Sequence, residues 1–231
     1  MTDFLFDPPT QPGLPVLGSA ALFPVRTIYA FTGTYGPNRP EPSVFTKATQ
    51  TLAANGAAVP MPPHTAMFEP EIELVVAIGK MARNLDTAKE ARDAVFGYAV
   101  GLDLTRRDLQ RAARNAGLPW DMAKTFEAAS PIGTIHQASD IGHPERGSIT
   151  LDVNGQRAQE GDLEEMSWLP LNLVALLSKY ITLQPGDLIF TGTPSGEIQL
   201  QPGDTLLGCI EGLTDLRVSI TPPIASLSPA A

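Results

Sequence analysis

The sequence predicts a mostly β (α+β) domain with a few peripheral helices, and three observations predict it. The run Glu71-Ile72-Glu73-Leu74-Val75-Val76-Ala77-Ile78-Gly79 is short, rich in β-branched residues and closed by glycine, as strands are. Gly97-Tyr98-Ala99-Val100-Gly101-Leu102-Asp103-Leu104 reads as a second strand that ends in an acid before a helix. Turn signals then recur: Asn154-Gly155, and the tetrapeptide Gln-Pro-Gly-Asp both at Gln184–Asp187 and at Gln201–Asp204.

The elements follow in order. Residues 1–24 are rich in Pro and Gly and are expected to lie extended on the surface. Val25 to Phe31 reads as a short strand. Thr32 to Pro42 is loop, broken by Gly33, Gly36, Pro37, Pro40 and Pro42, and a second loop carries Pro60, Pro62 and Pro63. Asp86 is expected to cap a helix through Phe96 that Gly97 ends. Thr105 and Asp108 resemble a capping box for a helix to about Asn115, stopped at Gly117. Ile149 to Val153 and the polar segment after Asn154-Gly155 read as a hairpin with a type I′ turn. Ser167 to Tyr180 is expected to be helical, with Pro170 in its first turn. Residues 222–231 read as a flexible tail.

A chain of 231 residues with 43% apolar side chains fits one large domain with a real core. Net charge is −9 with no cluster of Lys or Arg, which argues against nucleic-acid binding. The lone Cys209 cannot form an internal disulfide and fits a reducing cytoplasm and a core position. The first residues lack the pattern of a signal peptide, and no apolar run approaches the roughly 20 residues of a membrane span.

Glu71 and Glu73 stand two apart on one strand and project to one face, while Ile72, Leu74, Val76 and Ile78 make the opposite, core face. Two close carboxylates stay ionised together most easily with a cation between them. Asp103 supplies a third, and with no nearby Cys or His the set favours Mg²⁺, with Mn²⁺ or Ca²⁺ as alternatives, over zinc. The competing reading is a pair of solvated glutamates. Lys124, in an acidic neighbourhood, reads either as a group for enolate charge or a substrate carboxylate, or as a snorkelling surface lysine. Thr191-Gly192-Thr193-Pro194-Ser195-Gly196 offers hydroxyls and backbone N–H groups that suit a carboxylate, or is a plain turn. There is no Walker motif or G-x-S-x-G elbow.

Taken together and in order, Glu-x-Glu-Leu-Val-Val-x-Ile-Gly, Gly-Tyr…Asp-x-Thr-x-Arg-Asp-x-Gln, Lys-x-Phe…Pro-Ile-Gly, Val-Asn-Gly and Pro-Gly-Asp-x-Ile-x-Thr-Gly-Thr-Pro resemble the fumarylacetoacetate hydrolase superfamily. Gly97 through Gln110, with Trp120-Asp121, is most similar to its fumarylpyruvate (acylpyruvate) hydrolase branch. The resemblance implies a β-roll fold, a single catalytic domain over residues 25–221, a homodimer and a role in aromatic catabolism. It implies metal ligation by Glu71, Glu73 and Asp103, catalytic roles for Lys124 and Gln110, and substrate contacts from Arg107, Gly192, Thr193 and Tyr35. The implied substrate is a small dicarboxylate or 2-oxo acid, and the implied reaction is hydrolysis of a carbon–carbon bond.

One departure stands out. Where family hydrolases carry a lid with a water-activating His–Glu pair, this chain has the shortened Phe31–Pro42 stretch without histidine, leaving Glu41 as a nearby acid. His64, His136 and His143 lie elsewhere, and His64 is the one that could approach the site. A 2-oxo acid decarboxylase or tautomerase, acting for example on oxaloacetate, and a catalytically degenerate binding paralogue therefore stay open.

Overall fold

The computed structural model describes Leu5, Asp7 and residues 10–37 and 40–224. Most of the expected flexible tail, 225–231, lies outside the described residues. Two sheets dominate. The six-stranded sheet runs, edge to edge, His136–Gln137, Val95–Leu102, Ile72–Ile78, Leu188–Phe190, Ile28–Thr32, Ser43–Lys47. The five-stranded sheet runs Gln156–Asp162, Ser148–Val153, Thr205–Ile210, Leu216–Thr221, Ala58–Pro60. Both are mostly antiparallel, with one parallel pairing each: Leu188–Phe190 on Ile28–Thr32, and Leu216–Thr221 on Ala58–Pro60.

The strand Ile72–Ile78 is buried on both faces. Ile72, Leu74, Val76 and Ile78 face the main core, shared with Ile149, Leu151, Leu206 and Ile220 of the five-stranded sheet. Val75 and Ala77, on the carboxylate side, pack into a second core with Ile28, Leu188 and Phe190. The period-2 alternation thus separates two cores and aims Glu73 along the second face.

Five helices attach: α1 (Ala88–Ala91), α2 (Arg107–Asn115), α3 (Asp121–Lys124), α4 (Ala138–Ile141) and α5 (Pro170–Tyr180). Pro170 presets the first turn of α5. The hairpin turns through Asn154 and Gly155, both at positive φ (52° and 75°), as a type I′ turn requires.

Three expectations need correction. The helix expected from Asp86 to Phe96 is a single turn capped by Thr87, then a 3-10 turn, then strand from Val95. The β-formers Val95 and Phe96 leave the helix because Val95 pairs with Ile78 across the sheet. Thr105 and Asp108 do not cap α2: Thr105 pairs with Glu69, and Asp108 accepts hydrogen bonds from Thr65 Oγ1 (2.5 Å) and the Ala66 N–H (2.8 Å). The N-terminal stretch is not wholly superficial, since Leu14, Val16 and Phe23 enter the second core.

Candidate active site

Three carboxylates converge where the strand Ile72–Ile78 begins and its neighbour Val95–Leu102 ends. Glu73 lies on the strand Ile72–Ile78, and Glu71 stands just before it. Asp103 follows Val95–Leu102 and is pinned by its N–H to the Glu71 carbonyl (2.9 Å). One oxygen from each acid lies within 4.8 Å of the others. Glu73 and Asp103 are buried, so the reading as solvated glutamates fails for this cluster.

The cations gathered on the acids explain how they stay folded in. Lys124, at the end of α3, is fully buried rather than snorkelling. Its Nζ donates to Glu71 Oε2 (2.5 Å), Asp103 Oδ2 (2.5 Å) and Thr105 Oγ1 (2.7 Å). Lys47, from the edge strand Ser43–Lys47, donates to the other oxygen of Asp103 (2.5 Å) and to the Lys124 carbonyl (2.8 Å). Arg107 opens α2 and divides its guanidinium among Glu69, Glu71 and Gln110, 2.6 Å each.

Titration follows from this network. Burial works against the Glu71 carboxylate, but the charges and hydrogen bonds of Lys124 and Arg107 outweigh it and hold the group at about 2. Burial, with the charges of Asp103 and Glu71, pushes Glu73 well above the usual carboxylate range, against one hydrogen bond from the Gly192 N–H (2.5 Å). Burial also opposes the Lys124 ammonium, yet Asp103 and Glu71 leave its pKa raised. Burial dominates for Lys47, whose pKa falls despite Asp103. The site thus keeps one carboxyl group whose charge its own cations do not offset, and its donors are hard carboxylate oxygens. That set fits a divalent cation.

A cleft of about 1290 Å³ is walled in part by Gln110, Thr193 and Arg107, and Arg107 joins it to the cluster through Glu71. Gly192 turns at φ +95°, a conformation that favours glycine, and this brings its N–H onto Glu73. Buried Gln159 ties the Thr193 loop to the carboxylate strand. Its amide donates to Thr193 Oγ1 and the Pro194 carbonyl (3.1 Å each), while its oxygen accepts from the Ile72 N–H (2.9 Å).

Gly33 to Pro37 also border the cleft. They are held by the Ser167 N–H on the Thr34 carbonyl (2.8 Å) and the Gly36 N–H on the Glu165 carbonyl (3.2 Å). The Tyr35 phenol is buried here, its pKa pushed up by burial and then by the charges of Glu73 and Glu165. Glu41 instead accepts from the Tyr180 hydroxyl (2.7 Å) at the end of α5. His136 is engaged with Thr214 and His143 with Tyr98, and His64 is exposed. Among the described residues no histidine lines the cleft. Cys209 is half-buried, its thiol pushed up to about 11, mainly by burial.

Residues 32–221 match the family model described as fumarylacetoacetate (FAA) hydrolase C-terminal. The chain belongs to the fumarylacetoacetate hydrolase family. Among family members, it is 42% identical over 178 residues to a fumarylpyruvate hydrolase of a Ralstonia species, spanning 77% of this chain and 92% of that one. It is 38% identical over 173 residues to the oxaloacetate tautomerase YcgM of Escherichia coli, spanning 74% of this chain and 78% of that one. The structure of fumarylpyruvate hydrolase from Pseudomonas aeruginosa in complex with Mn²⁺ and pyruvate superposes with a TM-score of 0.91 at 38% identity, over 95% of this chain and 99% of that one. The mostly β architecture is the family fold.

Sequence reasoning missed Lys47, Glu69 and Gln159. Lys47 ends an edge strand and Gln159 sits in a polar hairpin arm. Neither carries a local signal, because each reaches the site only through contacts distant in sequence. For Glu69 the acid ladder Glu69, Glu71, Glu73 was a usable hint.

Proposed function

We propose that this protein is a divalent-metal-dependent hydrolase that cleaves a carbon–carbon bond of an acylpyruvate such as fumarylpyruvate. The observation that carries this reading is Lys124: a buried ammonium bridging Glu71 and Asp103, in a cluster joined through Arg107 to a cleft also walled by Gln110 and Thr193. The Ralstonia and P. aeruginosa relatives support it, both being named fumarylpyruvate hydrolases.

Glu71, Glu73 and Asp103 would hold the ion, taken as Mg²⁺ with Mn²⁺ or Ca²⁺ as alternatives, and the chemistry it would supply there is polarisation of the oxygens of a 2-oxo acid. Lys124, its Nζ already donating to Glu71 and Asp103, acts as a donor to the oxygen on which enolate charge collects. Thr193 and the backbone of its loop receive the substrate carboxylate, with Gln159 fixing the hydroxyl. Gln110 and Arg107 orient the chain of the substrate, and Tyr35 closes the side facing the shortened stretch. In the overall step, water adds to the acyl carbonyl carbon. The bond to the methylene breaks, and its electron pair becomes the pyruvate enolate, which takes a proton at carbon.

A second reading is 2-oxo acid tautomerisation or decarboxylation. It is favoured by the cleft's lack of a lining histidine among the described residues, since moving a proton on oxaloacetate needs no activated water. The YcgM relative bears that activity in its name. We place the protein in the cytoplasm as a homodimer, in aromatic catabolism. Edge strands such as Ser43–Lys47 and Gln156–Asp162, each paired on one side among the described residues, fit a homodimer.

The test is consumption of fumarylpyruvate by the purified protein with Mg²⁺ or Mn²⁺, beside enol-to-ketone conversion of oxaloacetate. Metal-dependent hydrolysis lost in Lys124→Ala is the expected result. Oxaloacetate turnover alone would move the assignment to the second reading.

A further inference from the structure

The cleft is polarised. One wall is α2, on which Arg107, Gln110, Arg111 and Arg114 stand at i, i+3, i+4 and i+7 and so share a face. Glu164 and Glu165 border the cleft from another segment. Arg107 is spent on Glu69 and Glu71 beside the carboxylate cluster. The two arginines farther along α2 are not. Arg111 meets Glu197 only at 3.3 and 3.4 Å, with both side chains largely exposed, a pairing of little worth in water. Arg114 has no acidic partner among the described residues. Its guanidinium lies 4.0 Å from the centroid of the Trp120 ring. Burial disfavours its charge, as does Arg107, so an anion at this point relieves both.

We propose that Arg111 and Arg114 form a distal anion subsite that receives the far carboxylate of a dicarboxylic substrate and so selects dicarboxylic over monocarboxylic 2-oxo acids. The inference rests on the functional reading above, which places the 2-oxo acid end at the carboxylate cluster. Helix geometry sets the span: Arg111 stands about 6 Å along α2 from Arg107, and Arg114 about 10 Å. That suits an extended acyl chain of a few carbons with its head beside Arg107. Arg111 exchanges the weak Glu197 contact for the substrate carboxylate, while the Arg114 guanidinium keeps its place over the Trp120 ring. A planar guanidinium meeting a carboxylate can do so with two parallel bonds, which adds geometric selectivity to charge.

The matched probes are 2-oxoadipate and 2-oxohexanoate, which differ by a carboxylate in place of a methyl group. Calorimetric titration of the Mg²⁺-loaded protein should show 2-oxoadipate binding at least tenfold tighter. The preference should shrink severalfold in Arg111→Gln, vanish in Arg111→Gln/Arg114→Gln, and grow in Glu197→Gln, which frees Arg111. High salt should erode it. Equal affinity for the two acids in the wild type, or a preference that survives the double substitution, overturns the subsite, as does failure of both acids to bind. Because binding is the readout, the hydrolase reading fails separately. A preserved 2-oxoadipate preference without fumarylpyruvate cleavage removes the proposed reaction and leaves the subsite standing.

Discussion

One strand carries two opposite solutions to burial. The main-core face of Ile72–Ile78 holds Ile72, Leu74, Val76 and Ile78, fully buried against apolar partners. Near its start the other face holds Glu73, as deeply enclosed as a leucine would be, with Glu71 just before it; Lys124 and Arg107 meet Glu71, and Lys47 meets the adjoining Asp103. Apolar burial is favourable wherever the surfaces meet, whereas buried charges need partners at hydrogen-bond distance and lose several kcal/mol when one is removed. The first face needs only alternation in sequence. The second needs three cations delivered from three separate segments, and Glu73 is left as the group those cations do not satisfy.

The sharpest way to break the comparison is Lys47→Met. It leaves Asp103 short of a buried partner and should cost about 3–5 kcal/mol in metal-free protein. Urea unfolding in chelator should show that loss, and saturating Mg²⁺ should reduce it. A loss of the same size with and without metal would mean that Lys47 acts by packing alone. Next in size is Lys124→Ala, expected to lower kcat by about 10²–10³-fold, the scale for removing one donor from developing oxyanion charge. Steady-state kinetics with fumarylpyruvate checks it, and circular dichroism confirms that the fold persists.

Proton linkage comes third. The folded, metal-free protein holds the Glu73 proton more tightly than the unfolded chain does. That contribution to stability is complete below the ordinary glutamate pKa of about 4.3 and is lost as pH rises through the raised Glu73 value. Each unit of separation is worth about 1.4 kcal/mol. Glu71 runs the other way, its contribution present above the ordinary value and lost as pH falls towards about 2. Denaturation series in chelator should therefore lose stability as pH rises from about 4.3. Mg²⁺ or Glu73→Gln should flatten the slope, and an unchanged slope in Glu73→Gln would reassign it. The smallest effect belongs to the apolar face. Ile78→Val should cost about 0.5–1.5 kcal/mol with no change in Mg²⁺ affinity by calorimetry. A change in affinity would show that the two faces are coupled.

Local patterning by itself determined the strand from Ile72 to Ile78, its inward and outward faces, the Asn154-Gly155 hairpin and a helix ending at Tyr180, expected from Ser167 and formed from Pro170. Each of these rests on periodicity or turn chemistry contained within a few residues. The spacing of Glu71 and Glu73, with Asp103 at the end of a second strand, made most of the carboxylate cluster legible before any fold was known. Tertiary structure alone decided the rest. It cut the helix after Asp86 short because Val95 had a strand partner in Ile78, and it drew Leu14, Val16 and Phe23 inward because the carboxylate side of the sheet needed apolar cover. It also brought Lys47 to Asp103 across 56 positions and Gln159 to Ile72 across 87. Such contacts leave no trace in a short window of sequence. A lysine ending a strand looks the same whether it meets water or a buried aspartate, and only the closing of the chain around it decides which.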